Sequence, residues 1–272
     1  MMKKLIIGAL IVVMMLMAGC QGSKSTANSN EPTTIRIMAA ASLTEVFNDL
    51  KAEFEKKYDD IKLEINYAGS QALYSQITSG VTSDIFASAN IKYMNQLDEA
   101  DMVANPTIFA RNKLVIVVSK QTQAEINGIK DLLQDGISLV IADKSVPVGR
   151  YTVQMLNKQN DNPQLPSNYK EKFFASVVSK ELDVKSVLAK VELGEADAGV
   201  VYKTDANASD KDKVKVVNIK DQYNVIATYP ISPIKGIDSE HQEAAAKFLD
   251  YLYSQEGGEI LEGHGFIKVS RD

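Results

Sequence analysis

From Thr34 onward, short strand-like apolar runs alternate with longer runs of helical spacing, and this alternation limits the fold more than any other feature. Strands buried on both faces need helices to cover them, so the order predicts an α/β fold with mainly parallel sheets. Thr34–Met38 reads as a strand, and residues 42–57 then place Leu43, Val46, Phe47, Leu50 and Phe54 on one helical face. Ile61, Leu63, Ile65 and Tyr67 alternate as a strand before a helix from Ser70. Ile85–Ala87, Leu114–Val118 and Ile137–Ala142 read as buried strands, with a helix near Ile129–Leu133. Val184, Val187, Leu188 and Val191 make a helical stripe with Asp183 as its N-cap. Strands follow at Ala198–Tyr202, Val214–Ile219 and Val225–Tyr229. A last helix opens at Ser239, where Gln242 completes a capping-box spacing and Ala245, Phe248, Leu249 and Leu252 face inward. One large sheet or two lobes would both satisfy this pattern; periodicity leaves the choice open.

The N-terminus carries an address. Lys3 and Lys4 precede an apolar run from Leu5 to Ala18, which is short of the roughly 20 residues a membrane-spanning helix needs. A basic start, a short apolar core and small residues at its end predict a secretory signal over residues 1–19. Cys20 is the only cysteine, so no disulfide framework exists. Met17-Ala18-Gly19-Cys20 resembles the lipobox of bacterial lipoproteins, with Met17 where Leu is usual, which implies a lipid on Cys20. Residues 20–32, rich in Ser, Asn and Gly, then read as a flexible tether. The expected location is extracytoplasmic, held to the cell membrane by the lipid.

Charge and composition remove several function classes. The 30 basic and 35 acidic residues leave a net charge of −5, spread along the chain, which gives nucleic acid no basic field. Two histidines, at 241 and 264, are too few for a His-rich metal site, and neither lies near a serine motif that could make a hydrolase triad.

Strand-to-helix junctions are where open α/β sheets bind ligands, and five positions there offer hydrogen-bond donors. In AAASLTEV (39–46), Ser42 opens a helix beneath small residues, although Ser42 and Glu45 also have capping-box spacing that would use the hydroxyl internally. In YAGSQAL (67–73), Gly69 permits close approach and Ser70 opens a helix, where an ordinary N-cap is the plainer alternative. In VPVGRY (146–151), Pro147 has no N–H, so Val148 is the first backbone donor; Arg150 reads as a solvated surface cation. Val184 offers the N–H behind the Asp183 cap. Tyr202 ends a strand with a single neutral hydroxyl.

These segments, with SDIFASA, FARNKLVIVV, DVKSVLAKVELGEADAGVVYKTDA and YPISPIKG, run in the order found in molybdate-binding proteins of ABC transporters, a family the chain resembles from Thr34 to Phe266. The resemblance implies a two-lobed periplasmic-binding-protein type II fold with a hinge: residues 33–111 with 228–272 as lobe I, and 112–227 as lobe II. It implies that Ser42, Ser70, the backbone N–H groups of Val148 and Val184, and Tyr202 hold molybdate or tungstate. Val148 stands where the family usually has Ala. The implied partners are a transporter permease and its ATPase, with the binding protein a monomer, not an enzyme, and without a cofactor. Sulfate or another tetrahedral oxyanion is the alternative ligand.

Overall fold

In the computed structural model, residues 31–270 are described; the signal sequence, Cys20 and nearly all of the tether lie outside them. The elements follow the alternation. Strand β1 (Thr33–Ala40) runs through a short 3-10 turn (Ala41–Leu43) into α1 (Thr44–Lys57). Then come β2 (Ile61–Ala68), α2 (Ser70–Thr78), β3 (Ile85–Ala87), α3 (Ile91–Glu99) and the long β4 (Thr107–Ser119). The middle of the chain holds β5 (Leu139–Ala142), α4 (Pro147–Lys158), α5 (Tyr169–Ala175), β6 (Val177–Glu181) and α6 (Val184–Glu192). It continues with β7 (Ala198–Tyr202), α7 (Lys203–Ala208), β8 (Val214–Asn218) and β9 (Ile226–Pro233). Helices α8 (Ser239–Tyr253) and α9 (Gln255–Gly263) and the short β10 (Ile267–Lys268) close it.

The strands pair in the order β2-β1-β3-β9-β4-β7-β5-β6, with β8 and β10 also on β4. Strands joined through helices run parallel, as expected: β1 with β2 and β3, and β5 with β6 and β7. The long β4 and β9 add antiparallel pairs, so the whole sheet is mixed. Strand β4 changes partners along its length. Residues Thr107–Lys113 pair with β9, and from Leu114 onward the strand pairs with β7 and β8.

The helical stripes point where periodicity put them. Leu43, Val46, Phe47, Leu50 and Phe54 are buried, and Phe47 and Phe54 meet Phe248 of α8 edge-on at centroid distances of 6.0 and 5.4 Å. Val184, Val187, Leu188 and Val191 are likewise buried.

Two caps differ from expectation. Ser42 sits in the 3-10 turn ahead of α1, while the Glu45 carboxylate is taken by Lys185, so no capping box forms. Helix α8 is capped by Asp238, whose carboxylate accepts from the His241 N–H; Gln242 instead donates to the Ile237 carbonyl. In both places a carboxylate found a stronger partner than the spacing rule allowed for. The helix expected near Ile129–Leu133 is a 3-10 turn.

Candidate functional site

The carboxyl ends of the strands place their following helices around one small cavity. Ser42 follows β1, Ser70 is the first residue of α2, Val148 the second of α4, Val184 the first of α6, and Tyr202 the last of β7. All five line the same cavity. It is small, about 10 Å³ in volume, far below the roughly 300–1,000 Å³ of sites for drug-sized molecules. Eleven residues line it and none is charged.

Each lining donor is left available by what surrounds it. The first N–H groups of a helix have no partner one turn back, and the macrodipole adds partial positive charge there. Pro147 takes the first position of α4, so Val148 is its first N–H. At α6 the two oxygens of Asp183 are spent on Ser186, one on its N–H and one on its hydroxyl, both at 2.8 Å. This carboxylate therefore caps the helix and does not face the cavity as an acceptor. The Ser70 hydroxyl accepts from the Ala89 N–H at 3.0 Å, so its own proton remains to be given. Tyr202 is buried, and its hydroxyl has no hydrogen-bond partner in good geometry. Burial, then the neighbouring Tyr229, Tyr151 and Asp205, push the Tyr202 phenol well above its ordinary value, so it keeps its proton.

The glycines in these turns serve packing. A Cβ on Gly149 would lie 2.1 Å from the Asp143 carbonyl oxygen and 2.5 Å from that of Ala142, so only glycine seats α4 on the end of β5. Gly69 lines the cavity and would put a Cβ 2.4 Å from the Leu182 carbonyl. Arg150 departs from the solvated position expected of it: it stays out of the cavity lining, its guanidinium lies 5.9 Å over the Tyr93 ring, and its Nε is buried without a partner.

Several residues around the site lie outside the five donor positions. Tyr229 is fully buried, and its hydroxyl lies 3.0 Å from Ser42 Oγ. Tyr202 meets the Tyr229 ring at 5.7 Å and the Tyr151 ring at 6.4 Å. Beside the cavity, Lys185 bridges two acids: Nζ is 2.6 Å from Glu45 of α1 and 3.0 Å from Asp205 of α7. The adjacency of Lys185 to Val184 is visible in sequence; the long-range partners are not. Both histidines are elsewhere, His241 against Asp238 and His264 against Asp49. Among the described residues no cluster of His, Cys, Asp or Glu could hold a metal ion.

Residues 35–267 match the model of the bacterial extracellular solute-binding protein family. The chain belongs to that family. It is 34% identical over 262 residues, 95% of either chain, to a Bacillus subtilis protein provisionally named an ABC transporter substrate-binding lipoprotein. It is 33% identical over 266 residues to the molybdate-binding protein of Mycobacterium tuberculosis, covering 95% of this chain and 96% of that one. The solved structure of the sulfate-binding protein of M. tuberculosis superposes with a TM-score of 0.77 over 87% of each chain. At 17% identity that likeness carries the fold alone. The α/β architecture is thus that of the extracytoplasmic binding proteins.

The buried ion cluster has a consequence for stability. Burial raises the Asp205 carboxyl to about 6, with Lys185 pulling the other way. A carboxyl whose folded pKa lies above its unfolded value of about 3.9 costs stability when ionised, and acidification through 6 relieves that cost. Urea denaturation should therefore show wild type gaining about 1–3 kcal/mol relative to Asp205→Asn between pH 7 and pH 4.5, at about 1.4 kcal/mol per pKa unit. A relative loss over that range would mean that the Lys185 pairing outweighs burial.

Proposed function

We propose that this chain is the lipid-anchored binding protein of an ABC transporter, capturing molybdate or tungstate in the cavity and handing it to a permease driven by an ATPase. One observation carries the reading. The Tyr202 hydroxyl is buried without a hydrogen-bond partner in good geometry, in a cavity that also holds two serine hydroxyls and three helix N-termini and no charged residue. A buried polar group left unpaired costs about 1–3 kcal/mol, which a ligand that accepts its proton would relieve.

The ligand follows from the donor set. Molybdate near neutral pH is fully deprotonated, so it accepts hydrogen bonds and offers none. Ser42, Ser70, the N–H groups of Val148 and Val184, and Tyr202 would each donate one. Hydrogen phosphate carries a proton that needs an acceptor, and no carboxylate lines the cavity. Sulfate, also fully deprotonated, is the second reading, with the sulfate-binding structural likeness behind it; the 33% identity to a molybdate-binding protein favours the larger anion.

In this reading residues 33–111 with 228–272 form one lobe and 112–227 the other. Strands β4 and β9 would be the crossings, in keeping with the change of partners at Lys113–Leu114. Ser42 and Ser70 would then approach the anion from one lobe, and Val148, Val184 and Tyr202 from the other, so that binding draws the lobes together. The protein would act as a monomer and catalyse nothing. Cys20 would be the mature N-terminus and carry the lipid, in line with the lipoprotein name of the Bacillus relative.

Titration calorimetry of the full-length protein in detergent should give molybdate and tungstate affinities at least tenfold above sulfate, a gap of about 1.4 kcal/mol, and negligible phosphate binding. Ser70→Ala and Tyr202→Phe should each cost about 1.5–3 kcal/mol, the worth of one hydrogen bond to a charged group. Sulfate binding as tight as molybdate would reassign the ligand, and wild-type affinity in both variants would move the site elsewhere.

Cell fractionation tests the anchor. Cys20→Ala should release the protein from membranes into the medium with its molybdate affinity unchanged; retention in the membrane fraction would show that an uncleaved helix holds it.

A further inference from the structure

Ser42 Oγ lies 3.0 Å from the Tyr229 hydroxyl, so which of the two donates decides what Ser42 can offer a ligand. The neighbouring groups settle the polarity. Asn112, on β4, is buried, and its Oδ1 accepts from the Lys113 N–H at 2.9 Å. A backbone N–H can only donate, so the amide is fixed with Nδ2 on the other side. Nδ2 donates to Thr204 Oγ1 at 2.8 Å and reaches the Tyr229 hydroxyl at 3.5 Å. An amide nitrogen accepts nothing, so the phenol oxygen is the acceptor there.

Tyr229 is fully buried, which raises its phenol well above the ordinary value and keeps the proton on it. That proton must be given to something. Among the groups in hydrogen-bond geometry with the Tyr229 hydroxyl, Ser42 Oγ at 3.0 Å is the one that can accept. The opposite polarity, Ser42 donating to the phenol, would leave a buried phenol proton unpaired, at the cost that attends any orphaned buried donor. The same arrangement recurs at Ser70, whose Oγ accepts from the Ala89 N–H at 3.0 Å. In both cases the serine oxygen faces a protein donor on its buried side, which turns the serine's own proton toward the cavity.

We infer that Asn112 and Tyr229 form a hydrogen-bond relay that fixes Ser42 as a donor to the bound oxyanion, an inference that rests on the oxyanion reading of the cavity. The relay runs from the Asn112 amide to the Tyr229 phenol, to the Ser42 hydroxyl, to the anion. Asn112 and Tyr229 are positioning residues: neither lines the cavity. Both stand on strands that pair with each other, Tyr229 opposite Ala110 and Asn112 opposite Ala227, so the relay starts from the β4–β9 ladder. Chains of this kind polarise each successive bond, and the last donor gains from the ones behind it. The relay also selects by charge state. It presents Ser42 to a fully deprotonated anion as a donor and disfavours a ligand that needs an acceptor at that corner.

A double-mutant cycle read by molybdate calorimetry on the full-length protein tests this. Tyr229→Phe keeps the ring, with its edge-on contacts to Phe266 and Phe109 at 5.3 and 6.3 Å, and removes the hydroxyl alone. It should weaken molybdate by about five- to tenfold when Ser42 is present, the scale of one hydrogen bond. In the Ser42→Ala background, where nothing remains to be oriented, the same change should alter affinity less than about twofold. Thermal denaturation of each variant separates folding loss from binding loss. Equal weakening in both backgrounds would mean that Tyr229 supports the site only by packing, and the relay would be overturned while the oxyanion reading stands. A wild-type chain that fails to bind molybdate overturns the oxyanion reading, and the relay with it.

Discussion

The unpaired N–H groups at the start of a helix are what the rest of this structure is arranged around. Helices α2, α4 and α6 each begin at the carboxyl end of a parallel strand, and their first residues, Ser70, Val148 and Val184, meet in one cavity. Parallel strands joined by helices put all such junctions on one edge of the sheet, so the topology that buries Ile35, Leu63 and Val140 also aims the donors. Small residues at Gly69 and Ala89 line the wall between them. An oxyanion bound there would be met by dipoles and neutral hydroxyls, with no cation in the lining.

Around that cavity the protein spends its polar side chains on keeping donors free. Asp183 caps α6 with both oxygens, and the Ala89 N–H occupies the Ser70 oxygen on its buried side. Tyr229 does the same for Ser42. Lys185, the cation nearest Val184 in sequence, is neutralised by Glu45 and Asp205. Burial works against its charge, but the two carboxylates outweigh it and hold its pKa above the ordinary lysine value. The result is a pocket whose field comes from helix dipoles and neutral hydroxyls, with no charged side chain in its lining.

Much of this was legible in the sequence because strand-to-helix junctions are local. The strands Ile85–Ala87 and Ala198–Tyr202 have the bounds that their apolar runs imply, and Asp183 caps the helix whose stripe begins at Val184. The five donor positions lie at strand ends or helix starts, and all five line one cavity. What was not legible depends on distant partners. Ser42 and Glu45 have capping-box spacing, yet Tyr229, 187 positions away, bonds the hydroxyl and Lys185, 140 positions away, takes the carboxylate. Arg150 looks like a surface cation until Tyr93 is seen beneath it. The antiparallel pairs of β4 and β9 escaped notice because two long strands that switch partners have the same apolar run as two short ones that do not.

The account stands on a single convergence of donors, and locating the ligand tests it most directly. Crystals of the protein grown with molybdate, with diffraction collected across the molybdenum absorption edge, would show the metal atom by its anomalous signal. The account predicts one strong peak enclosed by Ser42, Ser70, Val148, Val184 and Tyr202, with the phenol of Tyr202 at hydrogen-bond distance from an oxyanion oxygen. A peak outside that cavity, or a cavity filled only by water at saturating molybdate, would contradict it.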